Sequence, residues 1–182
     1  MSSSTDPAGT APLSAARPAF TRATVCSGLA DTDYQRAGRG DTIVALVARD
    51  WRGADALFPA LARDFRLIIP ELDDPNADPG KRLPFGVWLS AFLDGLGLSH
   101  VTLLADERFG GPALGSAMID PLRVARLVVV LDAAVSADAD VSADATLCCS
   151  GTRLLVTSLG TDRDGAASEV ARVLLGRRHD PG

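Results

Sequence analysis

Seven consecutive residues, Thr42 to Ala48 (TIVALVA), carry no charge and are β-branched or aliphatic throughout, bounded by Gly40-Asp41 on one side and Arg49-Asp50 on the other. Such a run is short for a helix and shows no alternation of polar and apolar side chains, so it reads as a strand covered on both faces. A strand of that kind demands helices above and below its sheet. The rest of the chain must supply them.

The sequence downstream alternates in the required way. Ala54, Leu57, Phe58 and Leu61 recur at i, i+3, i+4 and i+7, the spacing of one helix face. Phe65 to Leu72 (FRLIIPEL) reads as a strand, and Phe85, Trp88, Leu89, Phe92, Leu93 and Leu96 form a longer helical stripe ended by Gly97. Val101 to Leu104 is a strand, Pro112 to Ile119 a helix, Arg126 to Leu131 (RLVVVL) a strand and Leu154 to Leu159 another. Ala166 to Leu175, with Val170, Val173 and Leu174 on one side, is a last helix. Upstream, Ala23 to Ser27 and Thr32 to Ala37 flank Gly28 as an opening hairpin. Strands alternating with helices predict right-handed βαβ crossovers, hence an α/β fold: a mostly parallel sheet with helices on both faces.

At 182 residues the chain has the length of one domain. Residues 1–18 mix Ser, Thr, Ala, Pro and Gly without apolar periodicity and are expected to be a disordered tail, leaving 19–182 as the single domain. Within it, residues 133–146 (AAVSADADVSADAT) repeat a small and acidic unit too poor in large apolar side chains to pack, and read as a loop. The 23 acidic and 18 basic residues leave a net charge of −5, which argues against a nucleic-acid or polybasic membrane footprint. With no apolar stretch near the roughly 20 residues of a membrane span, a cytoplasmic location is the expectation. Cys26, Cys148 and Cys149 read as small apolar fillers in strands.

In parallel sheets ligands sit at the carboxyl ends of the strands. That rule gathers Arg49, Asp50 and Trp51; Asp73 and Asp74; Asp106, Glu107 and Arg108; Asp132; and Asp162 with Asp164. Neither His100 nor His179 has a partner at metal-ligand spacing, so no metal and no cofactor are expected.

Several phrases resemble the α/β-hydrolases, in the branch of haloalkane dehalogenases and epoxide hydrolases. YQRAGRGDTIVALVARDW is similar to that family's second and third strands with the oxyanion loop, FPALARDFRLIIPEL to the segment leading through its fourth strand, and WLSAFLDGLGLSHVTLL to the helix and strand before the nucleophile. GGPALGSAMIDPLRVARLVVVLDAA resembles the helix and strand after the nucleophile, and RLLVTSLGTDRD the seventh strand with its acid loop. The resemblance implies a minimal hydrolase-like core without a cap domain and without an eighth strand.

It also implies where the catalytic parts should stand, and they are altered. The family's GxSxG elbow corresponds to Asp106-Glu107-Arg108-Phe109-Gly110, which puts Arg108 at the nucleophile position and Phe109 beside it. Arginine stays protonated and cannot attack carbon. A one-residue bulge would bring Glu107 or Asp106 there as a carboxylate nucleophile. The oxyanion loop matches Ala48-Arg49-Asp50 in place of His-Gly, and Asp164 or Asp162 falls at the acid position. The general base has no counterpart beyond His179, and residues 133–146 stand in for the cap.

Two function classes are compatible with these departures. One is a non-hydrolytic accessory protein that binds a small molecule or a protein partner through the strand-end crevice, with Arg49, Asp50, Trp51, Asp73, Phe109 and Asp132 at the ligand. The other is a cyclase, isomerase or lyase of small-molecule biosynthesis, in which Arg49 and Arg108 stabilise negative charge while Asp106 or Glu107 moves a proton. A homodimer through the outer edge left by the strand at 154–159, or through the open cap face, is a further expectation.

Overall fold

The computed structural model of the protein describes residues 18–29, 31–73, 83–132, 147–149, 152–159, 170 and 174. Of the tail expected over residues 1–18, residues 1–17 lie outside them, as does the repeat at 133–146. Eight strands form one sheet: β1 (Thr21–Cys26), β2 (Asp31–Ala37), β3 (Thr42–Leu46), β4 (Arg66–Pro70), β5 (Val101–Asp106), β6 (Val124–Asp132), β7 (Leu147–Cys149) and β8 (Thr152–Leu159). Their spatial order is β1-β2-β4-β3-β5-β6-β8-β7. Pairings β4/β3, β3/β5, β5/β6 and β6/β8 are parallel, while β1/β2, β2/β4 and β7/β8 are antiparallel. Among the described residues, crossovers are filled by α1 (Ala54–Leu61), α2 (Phe85–Gly95) and α3 (Glu107–Ile119).

The apolar run 42–48 shows why helices are needed on both sides. Its side chains alternate between two cores: Val44, Leu46 and Ala48 pack with Leu89, Phe92 and Leu93 of α2 and Phe109, Ala113 and Ala117 of α3. Ile43, Ala45 and Val47 pack on the other face with Leu57, Phe58 and Leu61 of α1 and with Val170 and Leu174. The two-residue period of a strand thus divides one apolar segment between two layers. A sharp return after β2 depends on Gly38, whose φ of +75° is in the left-handed region and whose α-hydrogen faces the carbonyls of Phe65 and Ala62 where a Cβ would collide.

Three expectations need correction. The third helix begins at Glu107, five residues before Pro112, because Asp106 caps it and Phe109 packs into the core. The strand at 152–159 does not leave its outer edge bare: β7 pairs with its first half, Leu147 opposite Leu154 and Cys149 opposite Thr152. A parallel strand beyond β8 is not among the described residues. Cys26 does lie in a strand but is exposed on it, since it ends β1 at the sheet edge, where no layer covers it.

Candidate functional site

The strand ends converge where the loop after β3 meets the start of α3. Asp106 is the last residue of β5 and is buried, at 2% exposure. Its carboxylate is held by three backbone N–H groups: Oδ1 accepts from Arg108 and Phe109, both at 3.0 Å, and Oδ2 accepts from Ala48 at 2.8 Å. The first two bonds make Asp106 the N-cap of α3. The third ties that cap to the loop after β3. A buried carboxylate needs such partners, because removing it from water without them costs several kcal/mol. The register that allows this is set upstream, where Leu46 lies beside Ala105 across the β3/β5 pair.

Strand passes directly into helix here, with Asp106 ending β5 and Glu107 opening α3. Arg108, at the expected nucleophile position, sits in the first turn and reaches over the cap to Asp50 in a two-toothed ion pair, Nη1–Oδ1 at 2.9 Å and Nη2–Oδ2 at 3.2 Å. The guanidinium holds the Asp50 carboxyl below its ordinary pKa, chiefly through these hydrogen bonds. Glu107 is exposed in the same turn, where its charge complements the helix N-terminus.

The other anticipated residues disperse. Arg49 turns away from Arg108 toward the end of β4, with Nη2 at 3.5 Å from Glu71 and Nε at 3.9 Å from Asp73. Trp51 is half-buried against Phe58, ring centroids 5.8 Å apart, as a cover over α1. Phe109 is 1% exposed and packs on Phe85, so its ring faces the core and not the crevice where a ligand contact was expected. Asp132 ends β6 beside Leu159. Asp74, Asp162, Asp164 and His179 lie outside the described residues. His100 is exposed just before β5, Nδ1 3.2 Å from the Leu122 carbonyl, at the amino end of the sheet. Among the described residues no three His, Cys, Asp or Glu side chains are grouped to hold a metal ion, and no helix is long and apolar enough to cross a membrane.

Sequence reasoning missed Glu71. It closes the apolar strand FRLIIPEL and so was absorbed into it, yet its side chain is only 15% exposed and takes Arg22 on one oxygen and Arg49 on the other. Arg22 comes from β1, two strands away in the sheet order, so no local spacing signals the cluster.

No known family profile matches the chain, and no curated protein matches it. Solved structures do. A structure described as a predicted CIB-like hydrolase from Thermoplasma acidophilum superposes with a TM-score of 0.58 at 12% identity, covering 87% of this chain and 97% of that one. The carboxylesterase CesB of Bacillus subtilis gives 0.52 at 19% identity, and the epoxide hydrolase CorEH 0.52 at 21%, each over 62% of this chain and 43% of theirs. The chain has the α/β-hydrolase fold. It spans about two fifths of the length of the esterase and the epoxide hydrolase, and nearly all of the archaeal protein.

Proposed function

We propose that the protein is a non-hydrolytic α/β-hydrolase-fold protein with an accessory, small-molecule-binding role. The observation that supports this reading is the position of the Asp106 carboxylate. In this fold the oxyanion is held by the N–H of the residue after the nucleophile together with an N–H from the loop after the third strand. Here the N–H of Phe109, which comes directly after Arg108, and the N–H of Ala48 both donate to Asp106. Both donors on which a tetrahedral oxyanion would depend are thus already taken by the Asp106 side chain. Arg108 at the nucleophile position adds a second obstacle, since it is a permanent cation engaged with Asp50.

The same contacts weigh against the cyclase or lyase alternative. Asp106 is buried and already accepts three backbone hydrogen bonds, whereas a group that must shuttle a proton needs an open path to substrate, so that alternative would fall to the exposed Glu107 alone. The test is direct: a fluorophosphonate probe is expected to label no serine and p-nitrophenyl butyrate to show no saturable turnover, while native mass spectrometry of freshly isolated protein shows a bound small molecule. A labelled serine or saturable ester turnover overturns the reading. A protein partner copurifying with an otherwise empty chain would replace the small molecule by a docking role.

A further inference from the structure

The sheet carries a cavity on the α1 face, lined in part by Val47, Ala48 and Arg49 at the end of β3 and the start of the loop after it. It has a volume of about 810 Å3 and opens between α1 and the β1-β2-β4 side of the sheet. α1 covers β3 and β4 but leaves the outer strands without a helix among the described residues, so Phe20, Phe58, Pro59 and Ile69 face an open space. The volume lies in the range of small-molecule sites, roughly 300 to 1,000 Å3.

One end of this cavity is lined by the Arg22-Glu71-Arg49 cluster. Its hydrogen-bonding accounts do not balance. Each guanidinium has five N–H donors. Arg22 commits Nε, at 2.8 Å, and Nη2 to Glu71 Oε1, which leaves the Nη1 edge. Arg49 approaches Glu71 and Asp73 at 3.5 and 3.9 Å, and makes no hydrogen bond from its guanidinium to a described residue. Its side chain is 64% exposed. The half-buried Glu71 therefore brings together two arginines that line the same cavity as Phe20, Phe58 and Ile69. Among the lining residues, the acid apart from Glu71 is Asp55, exposed in the first turn of α1.

From this geometry we infer that the cavity binds an organic monoacid: a carboxylate head on Arg49, with Arg22 beside it, and an apolar body against Phe20, Phe58 and Ile69. A planar guanidinium offers a carboxylate two parallel N–H donors, which a neutral polar head cannot exploit equally. The inference rests on the binding role proposed above and gives it a location and a ligand class.

Decanoate is the probe, titrated by calorimetry and by the fluorescence of Trp51, whose ring packs on the cavity-lining Phe58. A Trp88→Phe background removes the second indole. Saturable binding of one decanoate per chain is expected, with 1-decanol and acetate each binding at least roughly tenfold more weakly, because each lacks one half of the recognition. Arg49→Gln should weaken decanoate roughly tenfold or more without changing the melting temperature of the empty protein, and Asp55→Asn should tighten it by removing a like charge from the rim. Equal affinity for decanol, an unaltered affinity in Arg49→Gln, or no saturable binding overturns the assignment of this cavity. Those outcomes leave the non-hydrolytic reading standing, since that reading fails on serine labelling or ester turnover instead.

Discussion

Removing the Asp106 carboxylate should cost this protein a large share of its stability. In Asp106→Ala three backbone N–H groups lose their acceptor together. Loss of an N-cap costs about 1 kcal/mol, and each buried donor left without a partner about 1 to 3 kcal/mol. Phe109 and Ala48 are buried, so neither N–H regains water, whereas Arg108 is in a more exposed turn and does. The expected loss is about 3 to 7 kcal/mol, which for a domain of this size lowers the melting temperature by roughly 6 to 28 °C. Asp106→Asn separates the two halves of the role. Its carbonyl oxygen still caps α3, but its NH2 group faces the Ala48 N–H, donor against donor, so about 1 to 3 kcal/mol is lost. Urea unfolding at neutral pH followed by circular dichroism measures both. The reasoning is refuted if Asp106→Ala unfolds within about 0.5 kcal/mol of the wild type, the scatter of ordinary surface substitutions, or if Asp106→Asn is the more damaging change.

Other perturbations probe separate links. Gly38→Ala forces a side chain into a left-handed backbone and against the carbonyls of Phe65 and Ala62, so its urea midpoint should fall by an amount equivalent to about 2 kcal/mol or more. Thr32→Val keeps the shape of a buried side chain but deprives the Trp88 indole N–H of the acceptor it reaches at 3.1 Å; a loss of about 1 to 2 kcal/mol and a shifted Trp88 emission are expected, and unchanged stability would show that water replaces the hydroxyl. Asp50 should titrate below the ordinary carboxylate range by NMR and return to it in Arg108→Ala. Because its folded pKa is depressed, the Arg108 pair favours the folded state above the unfolded-state carboxyl pKa, and that contribution disappears as pH falls through the folded value. Identical Asp50 titration curves in the two proteins would rule the pair out in solution.

The parts of the fold legible in the sequence are those that physics makes repetitive. The runs at 42–48, 65–72, 101–104 and 126–131 announce buried parallel strands because a strand enclosed on both faces has no polar position to interrupt it, and the stripe from Phe85 to Leu96 announces a helix by its period. The start of α3 was hidden because Gly110, Gly111 and Pro112 resemble a turn followed by a helix start, and it is the cap and the core contact of Phe109 that draw the helix back to Glu107. β7 was hidden because three residues carry no period at all. Of the residues that the strand-end rule gathers, Asp50, Asp106 and Arg108 lie together in the structure. That rule could not tell that Arg108 would choose Asp50 over Glu107. Consecutive residues on a helix point in different directions, whereas Asp50 arrives from another loop across the sheet end.

The composition of α3 explains why Asp106 is hard to dispense with. Gly110, Gly111, Gly115 and Pro112 in one thirteen-residue helix oppose helix formation by about 6 kcal/mol relative to alanine. A Cβ at Gly110 would lie 3.0 Å from Val129 Cγ1 on β6, so the Val129 side chain would have to shift by a few tenths of an ångström to admit it. The helix therefore depends on what lies at its ends and beneath it, and its N-terminus is where a short acidic side chain contributes most. Asp106 meets that need with one oxygen and fastens the loop after β3 with the other. On the reading proposed above, the two N–H groups that would hold a developing oxyanion are both engaged by Asp106, that of Phe109 in the helix cap and that of Ala48 in fastening the loop. A substitution that freed them for catalysis would first have to replace the cap.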